Sequence, residues 1–230
     1  YSELITAIET DMEALGATAF AMAVIKNGEL DWSEGFGTHT KTGEPVTADT
    51  LFRVASLTKP MTAVTALQQV EQGCLNLDSA VDSYLDGFVM QQQPLMAASL
   101  TVKDTLRMTG GLVDYQVQSG EDGDGMMEDF LSTYLEYSYF LSPPGRMYNY
   151  SNPNFVVAGH LVEVCSGAYF SSYMDDNLWK PLGMNRSTFH TSDVVEDADY
   201  AIGVTTHWPE QVGEEVPVDA ESYAASHLWP

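Results

Sequence analysis

Apolar residues recur at helical spacing near the start of the chain. In SELITAIETDMEAL, residues 2–15, Leu4, Ile5, Ile8, Met12 and Leu15 form one stripe. That predicts an amphipathic helix, with Ser2 as a possible cap and Gly16 as its stop. The period then changes. An apolar run from Ala19 to Ile25 meets Asn27-Gly28 and returns through Leu30 and Trp32, the pattern of a β-hairpin closed by a tight turn. Residues 39–51 are rich in turn formers. A second helix is predicted from about Ser56 to Gln72, with Met61, Val64, Leu67 and Val70 on one face and Gly73 as its C-cap.

Beyond Gly73 the elements shorten. Residues 74–96 read as turns with a helical piece. Residues 100–109 read as a short helix with Thr101 or Asp104 near its start, and 126–140 as a tyrosine-rich helix. SPPGRMYNYSNPN is dense in turn formers. Helices follow from about Asn154 to Cys165 and from about Tyr169 to Leu178, then a loop through PLGMNRST. Residues 190–230 show no strong periodicity, and there is no internal repeat.

The chain has 230 residues, 44% of them hydrophobic, enough for a substantial core. Its 33 acidic residues against nine basic ones give a formal charge of −24. Such a surface repels nucleic acid and anionic membranes. We read it as an adaptation of solvation, with steering of cationic substrates as the sharper alternative. No stretch approaches the length of a membrane span. The chain begins at Tyr1, without a signal peptide, which processing or trimming would explain.

Metal chemistry finds little support. His39, His160, His190, His207 and His227 are scattered, with no His-x-x-x-His pair. In the acidic glycine-rich stretch 119–125, Asp122 and Asp124 alternate as in a calcium loop. Met126 occupies the next ligand position, and the closing glutamate is absent. No metal and no cofactor are expected. Cys74 and Cys165 each sit at the end of a predicted helix. Buried free thiols are the favoured state, with a disulfide as the alternative.

The candidate chemistry starts at Ser56-Leu57-Thr58-Lys59. A serine hydroxyl is a poor nucleophile without a base. Residues three apart on a helix share a face, so Ser56 and Lys59 meet at the first turn. Pro60 fits there, because the first helical N–H groups have no intrahelical partner. Ser-x-x-Lys alone is common by chance. This lysine, however, lies in an otherwise uncharged stretch from Val54 to Val70. A buried cation needs a reason, and burial favours the neutral amine that can act as a base. Tyr150-Ser151-Asn152 adds a phenol that can relay a proton and an amide that can hold a carbonyl. By itself, that segment reads equally as a turn over a packed aromatic.

Taken together, FRVASLTKP and PGRMYNYSNPNFVVAGHLVEVCSG resemble the serine β-lactamase-like family of penicillin-binding proteins, class C β-lactamases and related esterases. TVKDTLRMTGGLVDY resembles the family's helix and His-Thr-Ser-Gly-Leu turn, with Met108 and Gly110 in place of His and Ser. LWKPLGMNRSTF resembles its Pro-Leu-Gly-Met segment. The resemblance runs in order from about residue 1 to about 203. It implies Ser56 as nucleophile, Lys59 as proton acceptor, Tyr150 as base or relay, and Asn152 as a contact to substrate and to Lys59. It also implies a half oxyanion hole from the Ser56 N–H and an extracellular or periplasmic location.

One family feature is missing. No Lys-Thr-Gly or His-x-Gly follows Asn152, and Lys41-Thr42-Gly43 precedes Ser56 in a loop, a coincidence of letters. Relatives also continue well past residue 230. The expected fold is therefore α/β of the α+β type. An antiparallel sheet is flanked by helices (residues 1–55), with a mostly helical region (56–190) and a loop-rich segment (191–230). C-terminal strands and a helix are expected to be supplied by a missing fragment or second chain that completes the sheet and site. The implied function is acyl transfer to water from an ester, amide, peptide or β-lactam. The alternatives are an acyltransferase and a non-catalytic binding or assembly module. Loops near 84–98, 114–128 and 204–230, with Tyr115, Glu121, Asp122, Asp124, Tyr223 and Trp229, suggest a cationic or amine-bearing substrate.

Overall fold

The computed structural model describes residues 1–39, 43–114, 124–201, 203–205 and 216–218. Two compact units are present. One comprises the described residues of Tyr1–Arg53 and Thr191–Tyr223, and the other is built on Val54–His190.

In the first unit, α1 (Ser2–Leu15) precedes the antiparallel pair β1 (Ala19–Lys26) and β2 (Glu29–Gly37). The helix ends where Gly16 adopts a left-handed conformation. Ser2 is not its cap. Tyr1 holds that position, and no side chain caps the first turn. The periodic residues Leu4, Ile5, Ile8 and Met12 are only half-buried, so the stripe announced a helix without announcing a core. The hairpin turns where expected: Asn27 and Gly28 both take positive φ, as the right-handed twist of the flanking strands requires. Two features absent from the expected pattern lie near the end of this unit. A short helix, α8 in chain order, spans Thr191–Asp197, and strands β3 (Gly203–Thr205) and β4 (Val216–Val218) pair antiparallel. Elements this short carry no readable period. Lys41 and Thr42 lie outside the described residues.

The second unit is helical. Its elements are α2 (Thr58–Glu71), the short α3 (Pro94–Ala97) and α4 (Val102–Leu106), α5 (Met126–Tyr137), α6 (Asn152–Ser166) and α7 (Phe170–Met174). A 3-10 turn, Ala55–Leu57, leads directly into α2. Thr101 caps α4 through a reciprocal capping box with Asp104, as its position suggested. Helix α6 starts two residues earlier than its pattern predicts, because Pro153 is tolerated in a first turn. It is buried nearly all round. Val156, Val157 and Leu161 join Leu100, Leu112, Leu131 and Phe140 in one core cluster, while Val162 joins Ala66, Met174 and Trp179 in another.

Helix α2 meets the expected burial only in part: Met61 and Val70 are half-buried against the core clusters, but the middle of the predicted face is not. Val64 and Leu67 are 43% and 44% exposed, whereas Thr58, Lys59, Thr62, Thr65, Ala66 and Gln69 are buried. The threonines can face inward because their hydroxyls bond back along the helix, Thr62 to the Thr58 carbonyl (3.3 Å) and Thr65 to the Thr62 carbonyl (2.9 Å). Small side chains on that face also suit packing against the crowded α6.

The cysteines are not free thiols. Cys74 and Cys165 form a disulfide with Cα atoms 5.9 Å apart. Lys59 at the start of α2 bonds Asn152 at the start of α6, so the two helices run side by side in the same direction, joined at both ends. Nothing local in the sequence signals that their C-terminal ends meet, since the cysteines are 91 residues apart. Among the described residues no helix is long and apolar enough to cross a membrane.

Closing so long a loop restricts the unfolded chain strongly. Replacing both cysteines by serine is expected to lower unfolding free energy by roughly 2–5 kcal/mol, read as a lower denaturant midpoint. Gly111 offers a second test. Its φ is +73°, and an added Cβ would lie 2.1 Å from the Ser142 carbonyl oxygen, where Leu141 N–H bonds the Gly111 carbonyl at 2.7 Å. Gly111→Ala is expected to cost about 1–3 kcal/mol in the same measurement.

Candidate active site

Four predicted residues converge in the helical unit. Ser56 sits in the 3-10 turn that opens α2, and Lys59 lies in the following turn. Ala55, just before Ser56, has φ of +44°, an unfavourable conformation for a residue with a Cβ. The strained residue thus lies beside the serine that the turn presents to solvent. Lys59 Nζ donates to Ser56 Oγ at 3.0 Å and to Asn152 Oδ1 at 2.8 Å. Ser56 Oγ and Tyr150 Oη are 2.7 Å apart. Since Oγ accepts from Lys59, its own proton is available to Tyr150.

Lys59 is only 6% exposed. Among the described residues no carboxylate lies within ion-pair distance of Nζ. Its surroundings are neutral hydrogen-bond acceptors and rings, with Nζ 5.2 Å from the Tyr150 ring centroid and 5.9 Å from that of Phe155. Burial pushes the Tyr150 phenol up. Hydrogen bonds with Ser56 and Lys59 and the Lys59 charge outweigh that effect, and the Asp114 charge opposes them. The balance lies below the ordinary phenol value of 10.0.

The segment carrying Tyr150 and Asn152 is laid against the turn at residues 108–114. Asn149 N–H donates to the Met108 carbonyl at 2.9 Å, and Asn149 Nδ2 to the Leu112 carbonyl at 3.0 Å. Ser151 N–H meets Met108 Sδ at 3.5 Å. Gly110 lies close to α6: a Cβ there would come within 2.2 Å of Asn154 Oδ1, so a larger residue would require that side chain to move. Of the two departures from the family turn, Met108 thus faces the loop that presents Tyr150, and Gly110 faces the first turn of α6.

Sequence reasoning overlooked Asp114. Its Oδ1 accepts from the Asn152 backbone N–H at 2.9 Å and from Asn152 Nδ2 at 3.2 Å. The only available signal was an acidic residue in GGLVDY, inside a segment already recognised as family-like. Of the proposed specificity loops, Tyr115, Glu121, Asp122, Tyr223 and Trp229 lie outside the described residues. Asp124 accepts from Ser171 Oγ at 2.7 Å. No cluster of metal-ligating side chains occurs among the described residues.

A helix-borne Ser-x-x-Lys facing Tyr-x-Asn, with an antiparallel hairpin in the other unit, defines the β-lactamase/transpeptidase class of fold. Residues 4–229 match the Beta-lactamase family model, and the chain belongs to that family. It is 29% identical over 188 residues to penicillin-binding protein 4 of Amycolatopsis lactamdurans, covering 81% of this chain and 48% of that protein. It is 30% identical over 174 residues to a D-aminopeptidase of Brucella anthropi, covering 72% of this chain and 32% of that protein. The octameric penicillin-binding protein homologue from Pyrococcus abyssi superposes with a TM-score of 0.78 at 24% identity, over 94% of this chain and 50% of that one, a likeness of fold. The chain therefore spans half or less of the length of these relatives.

The coupling of Tyr150 to Lys59 can be read directly. Ultraviolet difference titration of the protein against Tyr150→Phe is expected to show one phenol ionising below 10.0. In Lys59→Ala its midpoint moves upward, because a cation that favours the phenolate has gone.

Proposed function

We propose that this chain carries the acylation site of a serine hydrolase, with Ser56 as nucleophile. The observation that carries this reading is a buried lysine held between Ser56 Oγ and Asn152 Oδ1 while Tyr150 Oη closes on the same hydroxyl. A hydroxyl that meets a phenol of lowered pKa has an acceptor for its proton, and the lysine that donates to the same oxygen stabilises the negative charge left behind.

In this mechanism Ser56 Oγ attacks the substrate carbonyl carbon while its proton moves to Tyr150 Oη. Lys59 stabilises the phenolate before transfer and the alkoxide character during it. The carbonyl oxygen becomes an oxyanion against the Ser56 N–H, which belongs to a first turn without intrahelical partners. Such a donor lowers the barrier by roughly 3 kcal/mol. As the bond to the leaving group breaks, Tyr150 returns the proton to it. Water then attacks the acyl-enzyme by the reverse path, giving the acid and free Ser56. Asn152 orients Lys59 and the substrate carbonyl.

The substrate class is an ester, amide, peptide or β-lactam. Relatives named as penicillin-binding protein and D-aminopeptidase support acyl chemistry of this kind. The same reading includes a further segment or second chain that pairs with the hairpin. Its support is that, among the described residues, β1 and β2 form a sheet only with each other. The Cys74–Cys165 disulfide supports an extracellular or periplasmic location.

A fluorophosphonate probe tests the assignment. The wild-type protein is expected to gain one covalent adduct on Ser56, seen by peptide mass spectrometry, and Ser56→Ala none. Labelling should accelerate with pH through a midpoint below 10.0, and Tyr150→Phe should lose that dependence. An adduct that persists in Ser56→Ala would remove Ser56 from the nucleophile's role.

A further inference from the structure

We propose that Asp114 is a positioning residue that fixes which end of the Asn152 amide faces Lys59. The inference rests on the reading of Ser56 as nucleophile.

An asparagine side chain ends in an acceptor oxygen and a donor NH2 group of nearly equal size, and packing alone distinguishes them poorly. The difference matters beside a buried ammonium. The oxygen accepts from Lys59, whereas the NH2 group would aim hydrogens at a cation. Here Asn152 Oδ1 lies 2.8 Å from Lys59 Nζ. Asp114 Oδ1 lies 3.2 Å from Asn152 Nδ2 on the other side. An ionised carboxylate only accepts, so it holds the NH2 end and leaves the oxygen for the lysine. The same Oδ1 takes the Asn152 backbone N–H at 2.9 Å, which anchors both ends of that residue to one atom.

The simplest structural account of Asp114 is an acidic cap at the start of α6. A cap explains the bond to the backbone N–H. It does not require the bond to Nδ2, and that second bond continues into the chain Asp114–Asn152–Lys59–Ser56. Asp114 reaches this chain from the turn at 108–114, Asn152 from α6 and Lys59 from α2, so one carboxylate registers three segments. It also bears electrostatically on Tyr150. The groups acting on that phenol are Ser56, Lys59 and Asp114, and the acidic one opposes the other two.

The test compares wild type, Asp114→Asn and Asp114→Ala with the fluorophosphonate, normalised to folded protein, together with thermal melting. Asp114→Ala is expected to label Ser56 about ten- to a hundred-fold more slowly, the scale of a misplaced catalytic group. Both variants should shift the pH midpoint of labelling downward, because a negative charge that disfavours the phenolate is gone. A cap alone would lower the melting temperature and leave the normalised rate at its wild-type value, and that result overturns the proposal. If wild type itself is not labelled, the nucleophile reading fails, and a crystal structure of Asp114→Ala decides the matter separately. Asn152 turned or displaced from Lys59 supports the positioning role, and Asn152 Oδ1 still bonded to Nζ refutes it.

Discussion

Lys59 is a cation enclosed by the fold, and its burial is tolerable only while its N–H groups keep their acceptors. Those acceptors come from residues far apart in the chain: Ser56 Oγ from the turn before α2, and Asn152 Oδ1 from the start of α6. The rings of Tyr150 and Phe155 add their faces. Losing either oxygen would leave a buried ammonium short of one of its two acceptors. The demand therefore constrains where α2 and α6 begin relative to each other. It also constrains the loop that delivers Tyr150.

The rest of the helical unit meets that constraint by clamping the same two helices again at their other ends. The disulfide joins Cys74, just past α2, to Cys165 in the last turn of α6. Between the clamps, the contact face of α2 is made of threonine, alanine and glutamine rather than large apolar groups. Threonine hydroxyls that bond their own helix allow close packing without being stranded themselves. The turn at 108–114 then supports the Tyr150 loop from a third direction, through Met108 and Asp114.

Sequence and structure agree best where a local rule governs. The Asn27-Gly28 turn, the Gly16 stop and the Thr101–Asp104 capping box are set by backbone conformation within a few residues. Agreement fails where the deciding contact is remote. Val64 and Leu67 have the right period for a core face, yet they are exposed because α6 packs on the polar side of α2. The sequence favours thiols over the alternative disulfide at Cys74 and Cys165 because their meeting depends on the same pairing. Asp114 went unnoticed for a related reason: an acidic residue after a Gly-Gly turn has no signature until Asn152 is placed beside it.

By itself the sequence determined that Ser56 and Lys59 share a helical turn, since a spacing of three does so in any helix. Through Tyr150 and Asn152 in their ordered context, it also determined the family. Whether that lysine is buried, which atoms it touches and what orients them were decided by tertiary structure. The reason is physical. A hydrogen bond extends about 3 Å, whereas the segments it joins here are separated by some ninety residues of chain, as Lys59 and Asn152 are. Only the packing of α2 on α6 brings a serine at a helix start, a lysine and a distant Tyr-x-Asn within that reach.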